Sequence, residues 1–360
     1  MIDKEIANKV LTIGPSFKPV EGGIAQVMEY YDTDVFSTFR FIANSCPGSK
    51  LRKLICAISA YIATFFTLLF HRNIEILHIH TASKVSFTRS MIFAQLGFLF
   101  KRKVVMHIHA GSFIQYYEAN SEFVEKSLRR CDKVIALTEL WKQRFEQQIG
   151  LSNVEVLNNL VPLPSLCESI TKSHEVVETL FLGAIKPEKG IFDLVEVIAS
   201  HQALLRGKFV LYVGGNEQTE RLIAEINRND IGDIIKFEGW IGAERKVELM
   251  NRCSVLFLPS YIEGLPICIM EAMSYGLAIV ASNIGGIPSI VKEGENGCLL
   301  QPGDKNKLWQ AIQLLTDSAT LRHQMGNISK QMIEPYYPDN VALRLEQFYK
   351  SLLDHKRSII

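Results

Sequence analysis

The chain has 360 residues, 48% of them hydrophobic and 21% charged, with 39 Lys and Arg against 38 Asp and Glu. That balance excludes a disordered or fibrous chain, and the length exceeds what one core serves comfortably, so two domains are expected. A net charge of +1 gives no ground for a nucleic-acid partner.

The charge is uneven: residues 1–165 hold 19 cations against 14 acids, the remainder 20 against 24. A basic first half suits an anionic surface or acceptor, and equally an ordinary solvated face. The seven cysteines (Cys46, Cys56, Cys131, Cys167, Cys253, Cys268, Cys298) show no Cys-x2-Cys spacing. They read as reduced core thiols, and the first residues lack the apolar core of a signal peptide, so a cytoplasmic protein is expected.

In the first half, strands are expected at 10–14, 36–43, 74–80, 103–109, 133–137 and 154–157, with helices near 24–31, 51–70, 86–100, 121–130 and 139–148. Gly22 and Gly23 lie between the first strand and a helix whose Ile24, Val27, Met28 and Tyr31 share a face. Their amides can approach a phosphate closely, or the pair is a flexible turn. A dinucleotide oxidoreductase would need Gly-x-Gly-x-x-Gly at the strand end, whereas seven residues separate Gly14 from Gly22 here. Asp32-Thr33-Asp34 reads as a polar turn rather than a metal pair.

Residues 54–70 are uncharged and apolar, near the lower limit for a bilayer span. Strand candidates at 10–14 and 74–80 would then lie across a membrane from each other. A buried helix is therefore expected, with a partly exposed membrane-docking helix as the alternative. His78 and His80, then His107 and His109, form two copies of His-Ile-His with both imidazoles of a copy on one face. Four histidines invite zinc, but with no acid or thiol placed nearby, sheet packing is the expectation.

Val-Pro-Leu-Pro-Ser at 161–165 disfavours helix and interrupts pairing, as a linker would. The alternation then restarts with strands near 179–182, 209–214, 234–238, 254–258, 278–281 and 298–300, and ends in a helix at 341–353. Such alternation favours α/β architecture with doubly wound parallel sheets.

The stretch 260–276 places Glu263 in a loop, eight positions ahead of Glu271 in a helix, directly after the apolar run 254–260. Pro266 is expected at the first helical position, where its missing N–H costs nothing. Glu271 then lies roughly 7 Å along the axis, at about 1.5 Å per residue, which is the reach from a diphosphate to a ribose. The amides of Gly264, Leu265, Ile267 and Cys268 are candidates for the diphosphate, Glu271 for ribose hydroxyls, and Glu263 for the group beyond. Without further support these are a loop acid and a helix-face acid.

The wider pattern is Glu-Gly-Leu-Pro-x4-Glu-Ala-Met, then Gly276, a strand, and Gly285-Gly286-Ile287-Pro288. It resembles the retaining GT-B glycosyltransferases of the Glu-x7-Glu family (family 4-like), which includes bacterial polysaccharide and lipopolysaccharide enzymes. The resemblance implies two Rossmann-like domains facing a cleft: 1–165 binding acceptor, 166–340 binding nucleotide sugar, and 341–360 a helix crossing back to the first. It implies Glu263, His109 and Lys189 as catalytic, and Gly22, Gly23, Gly264, Leu265, Pro266, Ile267 and Glu271 as donor-binding.

His109-Ala110-Gly111-Ser112-Phe113 is similar to the family's histidine loop, and Gly183 to Gly190 to its Gly-Arg-x4-Lys-Gly segment. There Lys189 matches, whereas Ala184 stands in the arginine position, so half of a diphosphate clamp is missing or supplied by Lys186. Ser289 likewise replaces a glutamate that many relatives carry. The implied donor is a nucleotide diphosphate sugar, with no obligatory metal or other cofactor. The implied acceptor is a glycan or lipid-linked glycan of exopolysaccharide or O-antigen synthesis; the basic first half and the apolar helix at 54–70 agree with peripheral contact with the inner membrane face. A GT-B sugar-nucleotide epimerase and a silent nucleotide-binding partner subunit are the rivals.

Overall fold

The structure, a computed structural model, describes residues 1–20, 22–165 and 176–354. Contacts divide the chain into two compact units, Met1–Pro162 with Tyr336–Ile360, and Leu163–Pro335. Each is built on a six-stranded, wholly parallel sheet.

The first sheet comprises β1 (Val10–Pro15), β2 (Phe41–Ser45), β3 (Ile76–Thr81), β4 (Lys103–Ile108), β5 (Lys133–Ala136) and β6 (Val154–Val156), in the order β2-β1-β3-β4-β5-β6. The second comprises β7 (Val177–Leu182), β8 (Phe209–Gly214), β9 (Ile235–Gly239), β10 (Val255–Leu258), β11 (Ala278–Ser282) and β12 (Gly297–Leu300), in the order β12-β11-β10-β7-β8-β9. Their central strands are unbroken buried runs, such as Val-Leu-Phe-Leu in β10, because helices cover both faces of a parallel sheet. The direction of strand succession reverses between β1 and β3 in one unit and between β7 and β10 in the other. At such a switch point the loops leaving the carboxyl ends part and make room for a ligand.

In the second unit the helix Ile267–Ser274 follows β10 and buries nearly every residue, Glu271 included. In the first, the helix Pro338–Asp354 packs its Tyr349 ring against His78 and Phe36.

Three local expectations change. The strand expected from residue 36 begins at Phe41, because Tyr31–Val35 closes a wide turn sealed by the Phe36 amide donating to the Tyr31 carbonyl at 3.0 Å. Asp32 and Asp34 sit in that turn. Pro266 stands one place before the helix as its N-cap, with φ −73° and ψ 122°, its carbonyl accepting from the Met270 amide at 3.4 Å. Finally, the apolar helix Lys50–Phe70 buries only Ala60, Thr64 and Leu68. It lies against β2, the edge strand, and touches the helix Val85–Leu99 through Tyr61 and Phe93, while the stripe on its far side meets no partner among the described residues.

Candidate active site

At the switch point of the second unit, the loop after β7 meets the loop after β10. The first loop ends in a short 3-10 turn, Pro187–Lys189, and Gly190 turns the chain into the helix Ile191–Ser200 with φ +70°. A Cβ at Gly190 would lie 2.0 Å from the Pro259 carbonyl oxygen, so only glycine lets the two loops close. The Tyr261 amide donates to the Glu188 carbonyl at 2.9 Å and fastens them.

This contact brings Lys189 to Glu263. The ammonium donates to Oε1 at 2.6 Å, and Ser260 Oγ donates to the same oxygen at 2.8 Å. Glu263 is 8% exposed, so its charge is held by these donors rather than by bulk water. Burial pulls the Lys189 pKa down, but the Glu263 carboxylate, by charge and hydrogen bond, with Cys268 and Glu217 adding, leaves it above the ordinary lysine value. The Cys268 thiol is pushed up to about 12, first by burial and then by Glu263, against the pull of Lys189. It is not a nucleophile at neutral pH.

Glu271 is the fifth residue of the helix Ile267–Ser274. It is 7% exposed and accepts from Lys246 Nζ at 2.6 Å, Lys246 being carried by the helix Ala243–Arg252. Each acid of the pair therefore has its own lysine. Between them is the N-terminus of Ile267–Ser274, which has no side-chain cap, so the amides of its first turn point into the corner with the positive end of the helix dipole behind them.

The Gly285-Gly286 pair shapes the Glu263 loop. Gly285 has φ +57°, and a Cβ there would come within 2.0 Å of the Glu263 carbonyl oxygen, while the Gly286 amide donates to the Gly264 carbonyl at 2.5 Å. Ser289 turns inward, Oγ donating to the Gly286 carbonyl at 2.6 Å. Lys186, the possible substitute for the cation absent at Ala184, is 3.9 Å from Glu217.

In the first unit, Gly22 has φ +88° and heads the helix Gly23–Tyr30 without a side-chain cap, with open space where its Cβ would be. His109 follows β4. It belongs to a stack with His78, His80 and His107, adjacent ring centroids 4.2–5.4 Å apart. His80 Nδ1 and His109 Nε2 are 2.9 Å apart, and the Tyr349 hydroxyl is 2.6 Å from His78 Nδ1. Burial holds the imidazoles neutral, His78 and His109 being pushed down to about 3. Nitrogens of His78, His80 and His107 lie within 4.8 Å of one another, yet the His78 and His107 planes are only 6° from parallel. Stacked rings direct their lone pairs side by side rather than at one centre, unlike a tetrahedral metal site.

Residues 168–332 match the family model of glycosyl transferases group 1. An uncharacterized glycosyltransferase of Haemophilus influenzae is 30% identical over 216 residues, 57% of this chain and 58% of that protein. A D-inositol 3-phosphate glycosyltransferase of Streptomyces griseus is 28% identical over 191 residues, 49% of this chain and 40% of that protein. The matches thus span about half the length of the curated relatives. Among solved structures, sucrose-phosphate synthase from Thermosynechococcus elongatus superposes with a TM-score of 0.75 at 17% identity, covering 97% of this chain and 100% of that one. HepE of Anabaena, solved with UDP-glucose, gives 0.71 at 17% identity, covering 96% and 99%. The fold is GT-B.

Within residues 168–332, Lys189, Glu263, Gly264, Leu265, Pro266, Ile267 and Glu271 lie together where the loop after β7 meets the loop and helix after β10. Lys246 has no signal in the sequence, standing 25 positions before Glu271 in an unrelated helix. Ser260 lies within the motif stretch, but a serine there gives no signal of its bond to Glu263. Gly22, Gly23 and His109 belong to the first unit.

Proposed function

We propose that the protein is a retaining glycosyltransferase that moves a sugar from a nucleotide diphosphate sugar to a hydroxyl of a glycan or lipid-linked glycan in the cytoplasm. The observation that supports this most is the pair of buried, lysine-held carboxylates on either side of an uncapped helix N-terminus at a sheet switch point. A diphosphate meets the first-turn amides and Lys189, ribose hydroxyls displace Lys246 from part of Glu271, and sugar hydroxyls reach Glu263. On the first unit, Gly22 and Gly23 offer amides to an anion, and neutral His109 offers a hydrogen bond to a hydroxyl.

In the transfer the bond from the anomeric carbon to the departing phosphate oxygen breaks, and the acceptor oxygen bonds the same face. The acceptor proton passes to that phosphate oxygen, and Lys189 with the helix amides stabilises the leaving diphosphate. No step calls on a metal. The test is incubation with a panel of nucleotide sugars, with and without a membrane lipid extract, followed for nucleotide release, sugar transfer and anomeric configuration. Acceptor-dependent release with retention supports the proposal. Donor conversion without acceptor makes the protein an epimerase, and binding without turnover makes it a silent partner.

A further inference from the structure

The helix Lys50–Phe70 carries a continuous apolar stripe that no described residue covers. Leu51, Ile55, Ile58, Ile62, Phe66 and Leu69 recur at three- and four-residue steps, each 43–66% exposed. The sheet takes the opposite stripe, Ala60, Thr64 and Leu68. The neighbouring helix Val85–Leu99, joined to it through Tyr61 against Phe93, adds Ile92 and Leu99 at 52% and 66% exposure. Two adjacent helices thus present large aliphatic and aromatic side chains to solvent, more than the single scattered residues a soluble surface tolerates.

Charge identifies the occupant. Residues 35–117 hold ten cations and one acid, Glu75, which is 3.8 Å from Lys9. Lys50, Arg52 and Lys53 fill the first turn of the helix, where no acid stands and where a cation opposes the helix dipole. Among the described residues none of the three is in an ion pair, so the chain itself does not compensate them. At the other end Arg102 donates to the Leu68 carbonyl at 3.3 Å, a cation where the dipole favours one. An apolar face running from Leu51 to Leu69, headed by uncompensated cations, fits neither a neutral core nor an acidic partner alone. It fits an anionic lipid surface.

We infer that this face docks the first unit on an anionic membrane, with the apolar stripe in the headgroup–acyl boundary and Lys50, Arg52 and Lys53 against lipid phosphates. The helix lies in the surface and does not cross it. β2 and β3, which precede and follow it, flank β1 in one sheet and stay on one side. The inference rests on the proposed sugar transfer only in that a lipid-linked acceptor would be presented there.

The test is co-sedimentation of the full chain with phosphatidylcholine vesicles, with and without roughly a third phosphatidylglycerol. Two variants are compared, Ile58→Gln/Ile62→Gln/Phe66→Gln and Lys50→Glu/Arg52→Glu/Lys53→Glu. Wild type should pellet with the anionic vesicles. The glutamine variant should bind at least about tenfold more weakly, and the charge variant should lose about fivefold per cation, more at low than at high salt. Because the reversed charges now suit the dipole, the charge variant should also melt about 1–3 °C higher.

Wild type failing to bind, or the glutamine variant binding as tightly, would overturn the inference. So would a glutamine variant melting many degrees lower, since the face would then be covered within the molecule, or wild-type dimers that the same substitutions dissolve without any vesicle binding. Nucleotide-sugar binding in solution should be the same for wild type and both variants, so a failed docking test leaves the transferase assignment standing.

Discussion

Lys189→Met removes the cation 2.6 Å from Glu263 and leaves a carboxylate, 8% exposed, to which Ser260 Oγ still donates. Breaking a buried pair from one side costs roughly 3–5 kcal/mol, because the remaining charge is stranded. Lys189 keeps a quarter of its side chain in solvent and the Ser260 bond survives, so about 2 kcal/mol is expected here. For a unit of this size that is a fall of about 4–8 °C in melting temperature. Adding Glu263→Gln removes the stranded charge while Ser260 can still donate to the amide oxygen, so the double variant should regain at least half of the loss.

The pH dependence follows from the sign of the Lys189 shift. Its folded pKa is raised above the unfolded value, so the pair's contribution is whole below the ordinary lysine pKa of about 10.4 and is lost as pH rises through the folded value. The gap between wild type and Lys189→Met should therefore be flat from neutral pH to about pH 9 and shrink above about pH 10.5. The assay is thermal and urea unfolding of the four members of the cycle. A single variant within about 1 °C of wild type, or a double variant no better than the single, refutes the reasoning.

Gly285→Ala puts a methyl 2.0 Å from the Glu263 carbonyl oxygen at a positive φ; loss of about 2–4 kcal/mol by urea unfolding, with weakened nucleotide-sugar binding, is expected. Tyr349→Phe deprives buried His78 of its 2.6 Å partner and should cost about 1–3 kcal/mol, read as a lower urea midpoint. The buried histidines have folded pKa values below the ordinary one, about 3 for His78 and His109. The unfolded chain therefore binds their protons first, and stability should fall as pH drops below about 6.5, by up to about 1.4 kcal/mol per unit for each histidine. Equal unfolding free energies at pH 7 and pH 5.5 would contradict neutral burial.

Parallel strands were legible because they are short, unbroken apolar runs between helical periods, and the Glu263 to Glu271 corner because a loop, a proline and two carboxylates stand at fixed spacing. The glycine pairs were legible as turns, but not the contacts that require them, since a Cβ clash at Gly190 or Gly285 depends on a strand far away in sequence. Hydropathy identified the helix at 54–70 but not its exposure, because composition does not say which faces find a partner. Lys246 and Tyr349 escaped for a related reason: a lysine in a polar helix and a tyrosine in an amphipathic one gain meaning only from the acid or imidazole that folding places beside them.

The most direct measurement is isothermal titration of nucleotide diphosphate sugars, UDP-glucose among them, into wild type and Glu271→Ala. A sugar nucleotide seated on the loop-helix corner should release heat on binding wild type. Loss of the carboxylate proposed to hold the ribose should weaken that binding by about a hundredfold, the worth of two charge-assisted hydrogen bonds. Absence of heat with every nucleotide sugar, or equal affinity in Glu271→Ala, would contradict the account.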